Sequence, residues 1–279
     1  MSSLFSRPLW HDLVRPLWLG AALICLGAAF GISGAKAGMI DPLPHRALYH
    51  MQILKSGGDV ADVEGEMAFE WQDSCDGWSV SQRSQMDFLY ASGDSARVGW
   101  SLTSWEAKDG SRYRFVSREL TNGEVVSEFR GDANLSKSGG AAHYNKPNAH
   151  ETKLPPGSLF PTQHSLELIA QAMKGTPMLW AEVFDGSDQD GLFAVSAAIT
   201  KLPEAARKAA DQHRELKGVP GWNVSLAFYA PQGQAAEPEH EQSLQLYANG
   251  VVDRLVLDYG EFSIIGTLSK IETLPKPNC

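Results

Sequence analysis

The feature that most limits what this chain can fold into is an alternation of side-chain character along many short segments. From Trp78 to Tyr90 the even positions are mostly apolar, whereas the odd positions are nearly all polar or charged. A period of two indicates a β-strand with one buried face, because successive side chains of a strand point to opposite sides. The pattern recurs at residues 98–102, and again at 112–118, where Tyr113 and Phe115 alternate with arginines.

Residues suited to tight turns lie between these runs. Asp109-Gly110, Asn122-Gly123 and Asn249-Gly250 are pairs that tolerate the positive φ angles of hairpin turns. The last pair predicts a hairpin over residues 242–257, and a final strand is expected over 262–271. The chain then holds about twelve to fourteen short strands, and open twisted sheets rarely exceed about ten. We therefore predict a mainly all-β fold, in which a long antiparallel sheet curls into an open spiral or half-barrel with one or two short helices.

Helical signals are few. Pro161 and Gly175 bracket a segment with apolar residues on one face, which predicts a helix of about three turns. Residues 204–216 are charged and rich in alanine, so they favour either a surface helix or a mobile loop. Residues 231–241 are typical of an exposed loop.

The first 37 residues are typical of a secretory signal peptide. Early arginines precede an apolar run from Leu17 to Phe30, and Ala35-Lys36-Ala37 follows. The sequence thus predicts a signal peptide at 1–37 and a single β-spiral domain at 38–279, with no membrane span once the signal is removed. An uncleaved N-terminal anchor is the alternative interpretation.

The acidic balance of the chain narrows the possible partners. The net charge is −9 at pH 7, and the predicted signal peptide removes three basic residues but only one acidic residue. A chain without a basic stripe does not neutralise nucleic-acid phosphates, and it is not attracted to anionic lipid surfaces. We therefore expect no nucleic-acid partner.

Two cysteines, Cys75 and Cys279, remain after loss of the signal peptide. An isolated pair in an oxidising compartment is read as a disulfide, which would close nearly the whole mature chain. Such a bond would fasten a proline-rich tail that is poorly suited to pairing in a sheet. Two unrelated thiols are the alternative, and no histidines stand nearby at zinc-ligand spacing.

No catalytic or metal-binding motif stands out. The chain after residue 37 has no G-x-S-x-G motif, and its histidines are scattered. His164 could act as a base, but a capping or packing role is the simpler interpretation. Residues 185–191 lack two of the oxygen ligands of a calcium loop and are read as a solvated turn. We predict no catalytic residues, no metal and no cofactor.

Tryptophan is the most conspicuous candidate for function. These side chains could fill the core of a curled sheet, or they could line a concave groove that accepts an acyl chain, a peptide or a partner segment. The six candidates lie in or beside predicted strands: Trp71, Trp78, Trp100, Trp105, Trp180 and Trp222.

Several stretches together resemble the envelope integrity protein B family, which are periplasmic proteins of alphaproteobacteria. The resemblance implies an open spiral of antiparallel strands with a cavity-like concave face, a disulfide between Cys75 and Cys279, and a role in keeping the cell envelope intact. It implies no enzymatic activity, and the fold is similar to that of periplasmic lipoprotein carriers. The resemblance covers essentially the whole mature chain and rests on the terminal Cys279 and these stretches: Cys75–Trp78, Ser104–Gly110, Leu159–Thr162 with His164, Asn249–Val251 and Leu255–Gly260.

Three functions follow as hypotheses. The first is a non-enzymatic periplasmic protein that supports envelope integrity by binding a partner protein, with loops 204–217 and 231–241 as contact points. The alternative is a carrier or binding module for a lipid or lipoprotein acyl chain in the concave face. A hydrolase of envelope polymers would need clustered titratable groups, which the sequence does not show.

Overall fold

The structure, a computed structural model, describes residues 40–231 and 236–279. The predicted signal peptide lies outside the described residues. Strands make up most of the described residues, as the alternation predicts, and many of them bury alternate side chains, as β5 does with Tyr113, Phe115 and Ser117. The fourteen strands of the described residues are β1 (His45–Lys55), β2 (Val60–Asp73), β3 (Gly77–Tyr90), β4 (Ser95–Ala107), β5 (Arg112–Thr121), β6 (Glu124–Ser136), β7 (Gly139–Lys146), β8 (His150–Leu154), β9 (Met178–Phe184), β10 (Leu192–Lys201), β11 (Gly221–Tyr229), β12 (His240–Tyr247), β13 (Val252–Asp258) and β14 (Ser263–Thr273).

All fourteen strands form one antiparallel sheet. Strands β1 to β8 follow one another in sheet order, and so do β9 to β14. The two meanders join where β1 pairs with β14, which places the chain ends of the domain side by side in mid-sheet. The edges are therefore β8 and β9, two strands that are neighbours along the chain.

The sheet curls until these two edges nearly meet. Leu159, between the edge strands, forms a parallel bridge with Val183 of β9. The Leu159 amide donates to the Glu182 carbonyl at 2.8 Å, and the Phe184 amide donates to the Leu159 carbonyl at 2.9 Å. The prediction of a curled all-β sheet is confirmed, and the curl proceeds to a nearly closed, barrel-like form.

Aromatic side chains pack the seam between the edges. Phe160 and Phe184 are fully buried, and Tyr113 of β5 stacks on Phe160 with ring centroids 5.0 Å apart. Phe115 meets Phe184 edge-on at 5.5 Å. Because these rings come from β5, from β9 and from the segment before the helix, they stabilise closure through side-chain packing where strand pairing is sparse.

The first helix, α1 (Pro161–Lys174), agrees closely with the prediction. Proline occupies the first turn and Gly175 ends the helix in the left-handed region with φ 76°. Its buried face, which includes Leu168, Ile169 and Ala172, packs against strands β9 to β12. The helix thus connects the two edge strands, β8 and β9, along the chain and packs against the sheet.

The second helix, α2 (Glu204–Ala210), is shorter than the segment 204–216, for which the sequence favours either a surface helix or a mobile loop. Ala210 and Leu216 are both buried. Six positions on an ideal helix leave two side chains about 120° apart, so a continuous helix would not place both at the centre of one buried face. After Ala210 the chain instead turns, with hydrogen bonds from the His213 amide to Ala210 and from the Leu216 amide to His213.

The structure contains the predicted disulfide between Cys75 and Cys279. Cys75 lies in the turn between β2 and β3, and its Cα is 5.8 Å from that of the last residue of the chain. Strand β1 and strand β2 lie between β14 and β3 in the sheet. The bond therefore fastens the C-terminal tail across these strands, and the Leu274 amide adds a hydrogen bond to the Pro44 carbonyl.

Candidate ligand cavity inside the sheet

A cavity of about 340 Å³ lies on the concave side of the sheet. Strands β1 to β4 form one wall, β11 to β13 form another, and α1 with β9 completes the lining. Most of the lining is apolar, as Val80, Leu102, Leu168, Leu244 and Leu257 show. Small-molecule sites are concave, mainly apolar spaces of about 300–1,000 Å³ with a few polar groups, and this cavity has that character.

Two buried nitrogen atoms belong to side chains that line the cavity and have no hydrogen-bond partner among the described residues. They are Nε1 of Trp71 and Nε2 of His164, whose residues are 4% and 7% exposed. Nearly all buried polar atoms in folded proteins are paired, so each exception needs an explanation. A ligand group that accepts from Trp71, or that pairs with His164 in either tautomer, satisfies this requirement.

Burial also sets the charge of His164. Removal from water lowers the pKa of this imidazole to about 4, so the ring is neutral at pH 7. A neutral ring offers either a donor or an acceptor to a ligand without placing a charge in an apolar space. The cavity thus combines apolar walls with a few polar side chains, among them Gln82, Gln242 and the carboxyl group of Asp185, beside the neutral ring of His164.

Glu106 of β4 holds the start of α1. Its carboxylate accepts hydrogen bonds from the amides of Thr162 and Gln163 at 2.7 and 2.8 Å, and only 1% of the residue is exposed. These amides belong to the first helical turn, whose N–H groups have no partner within the helix. Burial raises the pKa of Glu106 to about 7, while the two amide donors act in the opposite direction. The carboxylate therefore fixes the helix that forms one wall of the cavity.

Sequence reasoning did not single out Glu106, although a signal for it exists. Within β4 the even positions, including Trp100 and Leu102, lie on the inner face. Glu106 shares that parity, so the alternation places a carboxylate among apolar neighbours. A charge at an inward position requires a partner. That partner is the N-terminus of α1, which only the folded structure places beside Glu106.

Three of the candidate tryptophans lie together on the inner side of the sheet. Trp71 and Trp78 are buried with their rings edge-on at 5.8 Å, and Trp100 is half-buried in the cavity lining. Trp222 is buried elsewhere, in the cluster that packs against α1.

The other two tryptophans lie on the outer side. Trp105 is half-buried under the guanidinium groups of Arg112 and Arg114, at 5.4 and 4.9 Å from its ring centre. Trp180 on edge strand β9 is 61% exposed and lies 6.1 Å from the Tyr229 ring. Trp71 and Trp100 thus line the cavity, Trp78 packs against Trp71 without lining it, and Trp105 and Trp180 lie away from it.

The described residues hold no group of three or more histidine, cysteine, aspartate or glutamate side chains arranged to bind a metal ion. The segment after β9 forms a turn, in which Asp185 accepts the Ser187 amide at 2.8 Å. Burial raises the pKa of Asp185 to about 6.

None of the helices in the described part of the chain has the length and apolar character to cross a membrane.

Comparison with known proteins places the chain. A profile of EipB-like proteins matches residues 36–275. The chain belongs to the EipB-like family. The cell envelope integrity protein EipB of Brucella abortus is 28% identical over 261 residues, which cover 90% of this chain and 91% of the relative. The resemblance inferred from the sequence is therefore confirmed.

A solved structure supports the fold of this EipB-like chain. The crystal structure of a β-barrel-like protein with a domain of unknown function, also from Brucella abortus, has a TM-score of 0.77 and 26% identity. The match covers 85% of this chain and all of the solved chain. The nearly closed sheet that encloses the cavity is thus an architecture that this chain shares with a solved protein.

Proposed function

We propose that this chain is a non-enzymatic periplasmic protein that supports the integrity of the cell envelope and binds an acyl chain in its interior cavity. Its Brucella abortus relative is named for cell envelope integrity. The disulfide suits an oxidising compartment, where such bonds persist. The observation that carries the ligand proposal is the apolar cavity, because a filled core would leave no such space, and two unpaired buried nitrogens belong to side chains that line it.

The acyl chain fits the distribution of polarity in the lining. Side chains of both sheet walls and of α1 present carbon surface, which a hydrocarbon chain removes from water at about 25 cal/mol per Å². Trp71 and His164 offer unpaired polar contacts beside the polar side chains of Gln82 and Gln242, and a carboxyl or ester oxygen is an acceptor for the Trp71 N–H. A single acyl chain with one polar end therefore satisfies the cavity more completely than water or a polar metabolite.

Titration with cis-parinaric acid, a fatty acid that fluoresces in apolar surroundings, tests this proposal. Val80→Trp fills the cavity from β3, whereas Val126→Trp adds the same bulk at an exposed position of β6. We expect saturable binding by the wild type and by Val126→Trp, and loss of binding by Val80→Trp with a melting curve that still shows a folded protein. Equal binding by all three proteins, or none by the wild type, would contradict the proposal.

The envelope role has a separate cellular test. Deletion of the gene is expected to sensitise cells to detergents and to antibiotics that act on the cell wall, with rescue by the wild-type gene. Full resistance of the deletion strain to both treatments would count against a role in envelope integrity while leaving ligand binding by the purified protein intact.

Binding of a partner protein is the second candidate function. The observation that favours it is a groove lined by arginine and aliphatic side chains on the outer face of the sheet, which shares only Trp100 with the described lining of the interior cavity.

A further inference from the structure

The outer face of strands β3 to β6 concentrates positive charge in a chain that is acidic as a whole, with a net charge of −9. Strand alternation places the arginines of these strands opposite the inward aromatic residues, and none of them is buried. The six are Arg83, Arg97, Arg112, Arg114, Arg118 and Arg130.

Four of these arginines line a groove of about 830 Å³, which we call the arginine groove. Its charged lining consists of Arg83, Arg97, Arg118 and Arg130, with Glu66 as the one acidic residue among the described lining residues. Aliphatic side chains from β1, β2, β5 and β6 add carbon surface, including Leu48, Ala68, Val116, Leu120 and Val125, and the remaining lining residues are Trp100, glycines and uncharged polar residues. Guanidinium groups and carbon surface are therefore accessible in one concavity.

The arginines of the groove are only partly paired within the chain. Arg97 contacts Asp87 at 2.7 Å, while Arg118 and Arg130 share Glu128 at 2.9 and 3.5 Å. Arg83 makes no ion pair or side-chain hydrogen bond with any described residue, and its cross-strand neighbours Ala68 and Ser101 are uncharged.

These pairs lie on the protein surface, where an ion pair contributes only about 0–1 kcal/mol. A carboxylate from another molecule can therefore replace Asp87 or Glu128 at little cost, and it meets no competitor at Arg83. Arginine also binds carboxylates through two parallel hydrogen bonds, which fixes their orientation as well as their position.

We infer that the arginine groove binds an extended segment of a partner protein in which glutamate or aspartate residues are interspersed with aliphatic residues. This inference deepens the second candidate function and does not depend on the interior cavity. Carboxylates match the guanidinium groups, and aliphatic side chains match the carbon surface between them. An anionic membrane does not suit the site, because the groove is concave and the net charge of the chain opposes approach to such a surface.

Fluorescence anisotropy with a short labelled peptide of glutamate and leucine tests the inference directly. The control peptide carries glutamine in place of each glutamate. We expect the full chain to bind the glutamate peptide in preference to the glutamine peptide, and to bind it less tightly as salt is added. Arg83→Gln should weaken binding about fivefold, the effect of losing one surface ion pair at the upper end of the usual range.

Arg254→Gln, at an exposed position of β13 outside the groove, is the matched control and should leave binding unchanged. Equal binding of both peptides, equal losses in both variants, or displacement of the peptide by phosphatidylglycerol vesicles would overturn the inference.

Cross-linking in cells distinguishes failure of the arginine groove as a binding site from failure of partner binding as a function. A partner protein that is captured equally by the wild type and by Arg83→Gln would leave partner binding standing and remove the groove as its site.

Discussion

At the scale of single residues, Glu106 connects the sheet to the helix that lines the cavity. Its two amide donors come from the first turn of α1. Replacement by alanine leaves these buried N–H groups unpaired, which costs about 1–3 kcal/mol. The consequence for function is a looser cavity wall, because no described side chain other than that of Glu106 accepts these two hydrogen bonds.

The titration of Glu106 gives the first prediction. The folded pKa of about 7 exceeds the ordinary value of 4.5, so the folded state binds more protons between these pH values. Glu106 therefore makes the free energy of unfolding fall as pH rises from about 4.5 to about 7, by about 3 kcal/mol in total. In Glu106→Gln this contribution disappears.

Urea unfolding at a series of pH values measures the effect as the difference between the variant and the wild type. The free energy of unfolding of Glu106→Gln, relative to that of the wild type, should increase as pH rises from about 4.5 to about 7. His164 acts with the opposite sign, because its lowered pKa makes the protein less stable on acidification, but it is common to both proteins and cancels. Glu64→Gln, an exposed change on β2, is the control, and parallel curves for Glu106→Gln and wild type would refute the assignment.

At the scale of elements, the hairpin of β12 and β13 forms part of the cavity wall, and its turn packs against Trp71. Its turn residue Gly250 has φ 85°, and a Cβ there would lie 2.7 Å from Cζ3 of the Trp71 ring. The glycine is therefore needed both for the left-handed backbone and for the close approach of a tryptophan that lines the cavity.

Gly250→Ala tests this packing. A left-handed alanine costs about 1–2 kcal/mol, and overpacking against Trp71 adds about 1–3 kcal/mol. Gly93→Ala is the matched control, since Gly93 also has positive φ at 89° but has nothing within 4 Å of the place that an added methyl group would take. Chemical denaturation should show a clearly larger loss for Gly250→Ala; equal losses would mean that Trp71 does not pack closely on the turn.

The elements also show what the sequence could and could not predict. The bounds of α1, the hairpin at Asn249-Gly250 and the strand over Trp78–Tyr90 follow from local signals, because caps, turn residues and alternation act over a few positions. The end of α2 did not follow, since it depends on burying Leu216 against distant strands.

The cavity could not be predicted from the sequence, because it depends on the curvature of the whole sheet. Alternation tells which side of a strand a residue faces, but it does not tell whether Trp100 meets another side chain or open space across the interior. The same limit applies to Trp180, which occupies an edge strand and stays exposed. It applies equally to the pairing of Glu106 with a helix that lies far away in the sequence.

At the scale of the whole molecule, the disulfide closes a loop of 204 positions. Loop entropy gives it about 5 kcal/mol of stabilisation as an upper value. We expect Cys75→Ala combined with Cys279→Ala to lower the free energy of unfolding by about 2–5 kcal/mol, as measured by urea denaturation. Dithiothreitol should reproduce this loss in the wild type and have no further effect on the double variant. A wild-type midpoint that does not respond to reductant would show that the bond does not stabilise the fold.

The central proposal is that the nearly closed sheet holds an acyl chain in its interior. Native mass spectrometry of the protein, purified gently from the envelope of cells that make it, tests this most directly. The account predicts a population whose added mass equals one fatty acyl ligand in the wild type and in Val126→Trp, and its absence in Val80→Trp. A wild-type spectrum that shows only the mass of the unliganded chain would contradict the account.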